Sequence, residues 1–276
     1  MPGFSASMPR PCTRSWSLFP PRTREAQFDE KWAFVGKKQK HCDPASPADA
    51  RQGDNWDHVG FDPEHRLVVT VLPGKRTVAR AEALLLDFQA RTGGRMMNLI
   101  TTDEYLPYRQ AILKAYGRRI VPPQTGRRGR PRVPYWLAPP DLRYATVHKT
   151  RKNGRVVKVE TRVVFGCPAD VEAALKVSPV SRHVNTAFVE RQNGTDRNRN
   201  ARKVRKTYCF SKDWDVHDAM TYYTMYSYNF CWPVRTLRRR NPQGRWQDCT
   251  PALSAGLTDH VWSLREWLTY PSAQPN

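Results

Sequence analysis

Three carboxylates far apart in the chain, Asp29, Asp103 and Glu190, are the residues whose types and settings point most directly to chemistry. Cleaving or transferring a phosphodiester takes one divalent ion to polarise the phosphate and a second to activate the attacking oxygen, about 3.5–4 Å apart. Hard ions such as Mg2+ choose carboxylate oxygen and keep several waters, so three acids from distant segments suffice. Asp29 lies in a strand-like run with Phe28, Trp32 and Phe34, where an acid is costly unless it is paired or binds metal. The plainer alternative is a strand-edge Asp facing water. Glu30 falls on the opposite strand face and reads as solvated. Asp103 follows the apolar run Met96–Ile100, at a strand's carboxyl end, where open α/β sheets collect ligands. A helix cap is the alternative there.

Glu190 sits in the segment Val184 to Arg197. On a helix, Glu190, Asn193 and Arg197 share one face at steps of three and four. That face offers a metal ligand, a polar group and a phosphate-binding fork together. The basic run that follows, including Lys203 and Arg205, has Asp196 as its opposing acid. A solvated basic helix is the alternative.

The elements that must position these groups are legible in the periodicity. Ala26–Val35 alternates in part and stops at Gly36, as a strand does. Trp56–Phe61 and Arg66–Leu72 read as two further strands around an Asp62–His65 turn. Thr77 caps a predicted helix to about Arg91 whose apolar face is Ala81, Leu84, Leu85 and Phe88. Met96–Ile100 is a short, nearly continuous apolar strand suited to a sheet centre. A helix follows over about Tyr108 to Tyr116. Antiparallel strands, a helix, then a buried strand is the order that opens an RNase H-like domain.

Residues 118–165 read as a basic, Pro-rich insertion between the second and third acids. It contains the loop arginines Arg127, Arg128 and Arg130, and a hairpin turning at Asn153-Gly154. A short helix to about Lys176, the Glu190 helix and an aromatic helix over Asp213–Trp232 complete the series. The expected fold is α/β: a mixed five-stranded sheet flanked by helices, spanning residues 25–240. A disordered basic leader over 1–24 precedes it and a C-terminal tail over 241–276 follows.

The chain carries 46 Lys+Arg against 25 Asp+Glu, a net charge of +21. A balance this basic calls for a polyanionic partner, and no basic amphipathic helix favours a membrane surface. Six cysteines without a CxxC pair exclude a zinc ribbon and a disulfide framework. His41-Cys42 with His58 and His65 is too irregular for zinc. The aromatics from Tyr222 to Trp232 suit packing of a helix on the sheet better than base stacking. With no apolar run of membrane length, the expectation is a cytoplasmic protein.

Three segments, Phe28–Lys38, Ile100–Tyr105 and Phe188–Thr195, resemble those of bacterial insertion-sequence transposases, nearest the insertion-sequence-one type. The likeness runs from about Glu25 to about Arg240, and Arg197, seven positions after Glu190, fits the same pattern. This family carries an Asp-Asp-Glu triad on an RNase H-like fold. The resemblance implies that Asp29, Asp103 and Glu190 bind Mg2+ (Mn2+ substituting) and that Arg197 contacts DNA. Asn193, Arg127, Arg128, Arg130, Lys203 and Arg205 are further candidates for DNA contact. It also implies double-stranded transposon ends and target DNA as partners, with a homo-oligomer assembled on them. Hydrolysis at the transposon ends would free a 3′ hydroxyl that attacks the target. Family members usually carry an N-terminal helix-turn-helix, which residues 1–24 lack. A DNA-binding remnant without activity, and a nuclease of the same fold that cuts without joining, are the competing expectations.

Overall fold

The computed structural model describes residues 21–123 and 132–270. Strands β1 (Glu25–Val35), β2 (Gly53–Asp62) and β3 (Leu67–Gly74) form an antiparallel meander. Helix α1 (Val78–Arg91) then leads to β4 (Leu99–Asp103), which lies parallel to β1. After α2 (Pro107–Tyr116), two short strands, β5 (Arg118–Ile120) and β6 (Tyr135–Leu137), pair with each other. Strand β7 (Tyr144–Lys152) runs parallel to β4, and β8 (Arg155–Phe165) returns antiparallel to β7. The sheet order is β3-β2-β1-β4-β7-β8.

The sheet therefore has six strands rather than the expected five. The predicted hairpin is real, with Asn153 and Gly154 both at positive φ in its turn, but it does not belong to an insertion. Its first strand carries the buried residues Tyr144, Ala145 and Val147 into the sheet beside β4. What stands apart from the sheet is the shorter segment holding β5 and β6, and the arginines Arg127, Arg128 and Arg130 lie outside the described residues.

Alternation along β1 separates two layers. Ala26 and Phe28 face α1 and α2, where Phe28 meets Phe88 edge-on at 4.9 Å and Tyr108 at 6.0 Å. Gly60, opposite Phe28, leaves room for that packing: a Cβ there would come within 3 Å of Phe28, Phe88 and Thr70. Helix α1 is capped by Thr77, whose hydroxyl accepts from the Arg80 amide, and it buries Ala81, Leu84, Leu85 and Phe88 as predicted. The other layer holds α3 (Pro168–Val177), α4 (Ala187–Arg199) and α5 (Trp214–Cys231). A second apolar cluster of Leu99, Ala145, Val147, Val171, Ala174 and Val184 seats α3. The aromatic helix α5 is core material: Tyr226, Tyr228 and Phe230 are buried. Asn229 pins it to β3, accepting from the Val68 amide at 3.0 Å and donating to the Val68 carbonyl at 2.8 Å.

Two boundaries move. Residues 21–24 are not part of a loose leader; Thr23 is buried and Arg24 pairs with Glu64. The C-terminal stretch is not a loose tail either. Helices α6 (Pro251–Ser254) and α7 (Leu264–Thr269) pack on α5. Trp262 and Trp267 lie 4.9 and 5.3 Å from Phe230. Among the described residues no helix is long and apolar enough to cross a membrane.

Helix α4 is joined to β1 by polar rungs rather than apolar packing. Gln27 receives the Val189 amide at 3.1 Å and donates to the Asn185 carbonyl at 2.8 Å. The Asn193 amide donates to Asp29 at 2.8 Å, and Lys31 pairs with Asp196. Lys31 is fully buried and also lies 3.2 Å from Asp57, which Lys203 approaches at 2.6 Å. Removing one member of a buried ion pair leaves an uncompensated charge and costs about 3–5 kcal/mol. Lys31→Met, which keeps the stem but not the charge, is expected to lose that much stability by urea denaturation. A loss under about 1 kcal/mol would show that the network does not fasten α4 to the sheet.

Candidate metal centre

The parallel register of β1 and β4 pairs Phe28 with Thr102, so the next positions along the two strands are Asp29 and Asp103. Asp103 is the last residue of β4, the position at which open sheets bind ligands, while Asp29 lies beside it in the middle of β1. Asp29, Glu30 and Asp103 each offer a carboxylate oxygen, and these oxygens lie within 4.8 Å of one another. The two aspartates named from the sequence are thus brought together. Glu30, expected to be solvated, is a correction. Alternation places it on the same face as Ala26 and Phe28, and its side chain is 1% exposed.

Each carboxylate is oriented by a partner. Asp29 accepts the Glu30 amide at 2.9 Å through Oδ1 and the Asn193 side chain at 2.8 Å through Oδ2. Asp103 accepts the Tyr105 amide at 3.1 Å. Glu30 Oε2 receives the Arg76 guanidinium at 3.1 Å, which lies against the rings of Tyr105 (4.0 Å) and Trp56 (4.8 Å). The Tyr108 hydroxyl, buried beside Glu30, is that carboxylate's neighbouring donor, and the Asn193 carbonyl oxygen is buried without a protein hydrogen-bond partner.

Crowding of like charges in a dry site shows in the protonation equilibria. Burial, then the charges of Asp103 and Glu190, push Asp29 up to about 7. Burial likewise raises Glu30 to about 7, against the opposing influence of Tyr108. Burial raises Asp103 as well, opposed by its bond from the Tyr105 amide. Three hard oxygen donors within 4.8 Å of one another, with the unpartnered Asn193 carbonyl oxygen nearby, fit a divalent cation such as Mg2+ or Mn2+.

Glu190 stands at the rim. It lies on the first turn of α4, pairs with Lys149 and accepts from the Thr186 hydroxyl. It is not in the three-acid cluster, although its charge reaches Asp29 and Asp103. Arg197 is half-buried, and its guanidinium lies within electrostatic reach of Asp29 and Arg205. Two expected DNA contacts are corrected. Lys203 is buried on Asp57 and Thr221, with its ammonium shut off from solvent. Asn193 is buried and spends its amide on Asp29. Arg76, Tyr108 and Lys149 were not picked out from the sequence, because what marks them is proximity to the acids across the fold. His58 and His65 are structural: His58 bonds the Leu72 carbonyl and His65 pairs with Asp62.

Comparison with known protein families, with characterised proteins and with solved structures finds no match for this chain.

Asp29 and Glu30 titrate near 7 in the folded protein and near 4 when unfolded. Between those values the folded state binds more protons, so the metal-free protein loses stability as pH rises from about 4 to 7. A cation that favours the ionised acids reverses this. With Mn2+ at about 100 times its Kd, the melting temperature should rise by about 5–10 °C at pH 8 and scarcely at pH 5. Asp29→Asn combined with Asp103→Asn should abolish the rise. An equal rise at both pH values would remove these carboxylates as the metal's ligands.

Proposed function

We propose that this chain is the catalytic part of a DNA transposase with an RNase H-like fold, acting on double-stranded DNA with Mg2+. The observation that carries this reading is the meeting of Asp29 and Glu30, in the middle of β1, with Asp103 at the carboxyl end of the adjacent parallel strand β4. The strand order β3-β2-β1-β4, with the first three antiparallel and β4 parallel to β1, supports the RNase H-like assignment. The net charge of +21 supports a nucleic-acid partner.

In this reading Asp29, Glu30 and Asp103 hold the metal, with Glu190 at the rim as the acid closest to joining them. When bound, the metal supplies polarisation of a phosphoryl oxygen and an ionised water at neutral pH. The protein's own groups do the rest. Asn193 and the Glu30 amide fix the rotamer of Asp29, while Arg76, clamped between two rings, fixes Glu30. Arg197 and Arg205 draw the phosphate backbone toward the acids. Lys149, now paired with Glu190, exchanges that carboxylate for a DNA phosphate as the strand enters. Water attacks phosphorus at the transposon end and the 3′ oxygen leaves as a hydroxyl; that hydroxyl then attacks a phosphate of the target strand, joining to it as the target's own 3′ oxygen leaves. A nuclease of the same fold would perform the first step alone, so strand joining separates the two.

Asp103→Ala should reduce metal-dependent cleavage of duplex DNA to background while leaving DNA affinity nearly intact; cleavage at the parent rate would refute the site. The third ligand is decided by a pair of variants. Glu30→Gln should abolish cleavage, and Glu190→Gln should do so only if α4 swings its acid inward on DNA. Arg197→Ala should weaken DNA binding and lower the slope of log affinity against log salt by about 0.9. An unchanged slope would exclude a phosphate contact there.

A further inference from the structure

Strand β8 is the outer edge of the six-stranded sheet among the described residues. It runs for 11 residues, about twice the usual strand length. Among the described residues only one side of it is paired, to β7. Proteins blunt such an edge by shortening it, placing proline or charged side chains on it, bulging it or covering it. Among the described residues β8 is neither short nor covered and holds no proline; its charges are Lys158, Glu160 and Arg162, and Val157, Val159 and Val163 are 59, 57 and 37% exposed. The register shifts in the β7–β8 ladder lie at Tyr144/Ala145 and Thr150/Arg151. The stretch of β8 opposite Ala145–Thr150, residues 158–163, is therefore regular.

That stretch is complementary to itself. When two copies pair antiparallel about a two-fold axis through Thr161, Glu160 of each lies directly opposite Arg162 of the other. On the other face Val159 meets Val163, and Thr161 meets Thr161. Each of these is a favourable cross-strand pair. Shifting the axis by one residue to Glu160 sets Glu160 against itself and Lys158 against Arg162. An axis at Arg162 sets that arginine against itself. An axis at Val159 restores opposite charges, Lys158 facing Glu160, but it leaves Val163 opposite Arg155 and draws the irregular end at Val157 into the ladder. Side chains of Glu160 and Arg162 are 40 and 62% exposed, and their partners within the chain are Lys158 and Glu104.

We infer that β8 is a homodimer interface, on which a second copy of this chain adds its own β8 antiparallel with the axis at Thr161. Two six-stranded sheets then form one continuous sheet, and a closed two-fold contact consumes both free edges. The exposed valines are covered in the same step. This inference stands on the edge strand alone and does not depend on the proposed function.

The test is sedimentation equilibrium of the full chain without DNA, together with hydrogen exchange of β8. A dimer is expected, with β8 amides protected at high protein concentration and released on dilution. Glu160→Lys sets lysine opposite Arg162 twice per dimer and should weaken association by about tenfold or more. Adding Arg162→Glu to Glu160→Lys restores opposite charges and should recover most of that loss. A monomer at every concentration, a dimer indifferent to Glu160→Lys, or failure of the second change to restore association would each overturn the interface.

Discussion

The placement of helix α4 over the acids of the candidate site depends on how Lys31 is buried. Its ammonium lies between Asp57 of β2 and Asp196 of α4, wholly out of solvent. An ion removed from water keeps its charge only where partners replace the hydration shell. Here Lys203 shares Asp57, Thr224 donates to Asp196 at 2.8 Å, and Thr221 accepts from Lys203. Burial works against the charge on Asp57, but Lys203 and Lys31 hold it well below the usual carboxylate range. Because the partners come from a strand, two helices and the loop between them, the network makes their relative placement nearly all-or-none. Lys31 is two residues from Asp29, and Asp196 is three from Asn193. The same rungs that satisfy the buried lysine therefore set the position of the amide that orients Asp29.

The carboxylate cluster carries the opposite imbalance. Arg76 is hydrogen-bonded to Glu30, Arg197 and Lys149 reach Asp29 and Asp103 only through their charge, and none of the three acids is held below its normal range. Two buried electrostatic systems thus lie side by side on β1. One is closed and neutralised by its own lysines. The other holds three acids close together where β4 ends beside the middle of β1. The fold neutralises Asp57 and Asp196 with its own lysines, whereas burial and like charge leave Asp29 and Glu30 raised to about 7.

Local pattern was enough to read β1, the Thr77 cap, the apolar face of α1 and the two aspartates. Each depends on neighbours within a few residues or on strand alternation. Apart from Glu30, the differences involve partners distant in sequence. The hairpin over 144–165 was read correctly as a hairpin. Its docking beside β4 rests on pairing between Ile100–Asp103 and Tyr144–Val147, which no local pattern reveals. Lys203 looks like any other member of a basic run, and only Asp57, far away in β2, makes it a core residue. The C-terminal stretch looked weakly patterned because its contacts are a few aromatics spaced irregularly against Phe230. Glu30 is the instructive case. The alternation that put Phe28 inside put Glu30 inside as well, but the general preference of Glu for water outweighed the register in that reading.

The weak amphipathy of α4 follows from the same logic. Its buried face is Val189, Gln192, Asn193 and Asp196, a spacing of three and four that matches one helical stripe. That stripe is polar because it must meet Gln27, Asp29 and Lys31, the polar face of β1. A leucine-rich stripe would bury more apolar surface, yet it would leave Asp29 without its orienting amide and Lys31 without a counter-ion. Helix and strand are polar toward each other because each satisfies the other. The consequence reaches Glu190, which is carried one turn ahead of Asn193 on the same helix. Its distance from Asp29 is set by rungs it takes no part in, and Lys149 decides which way it points.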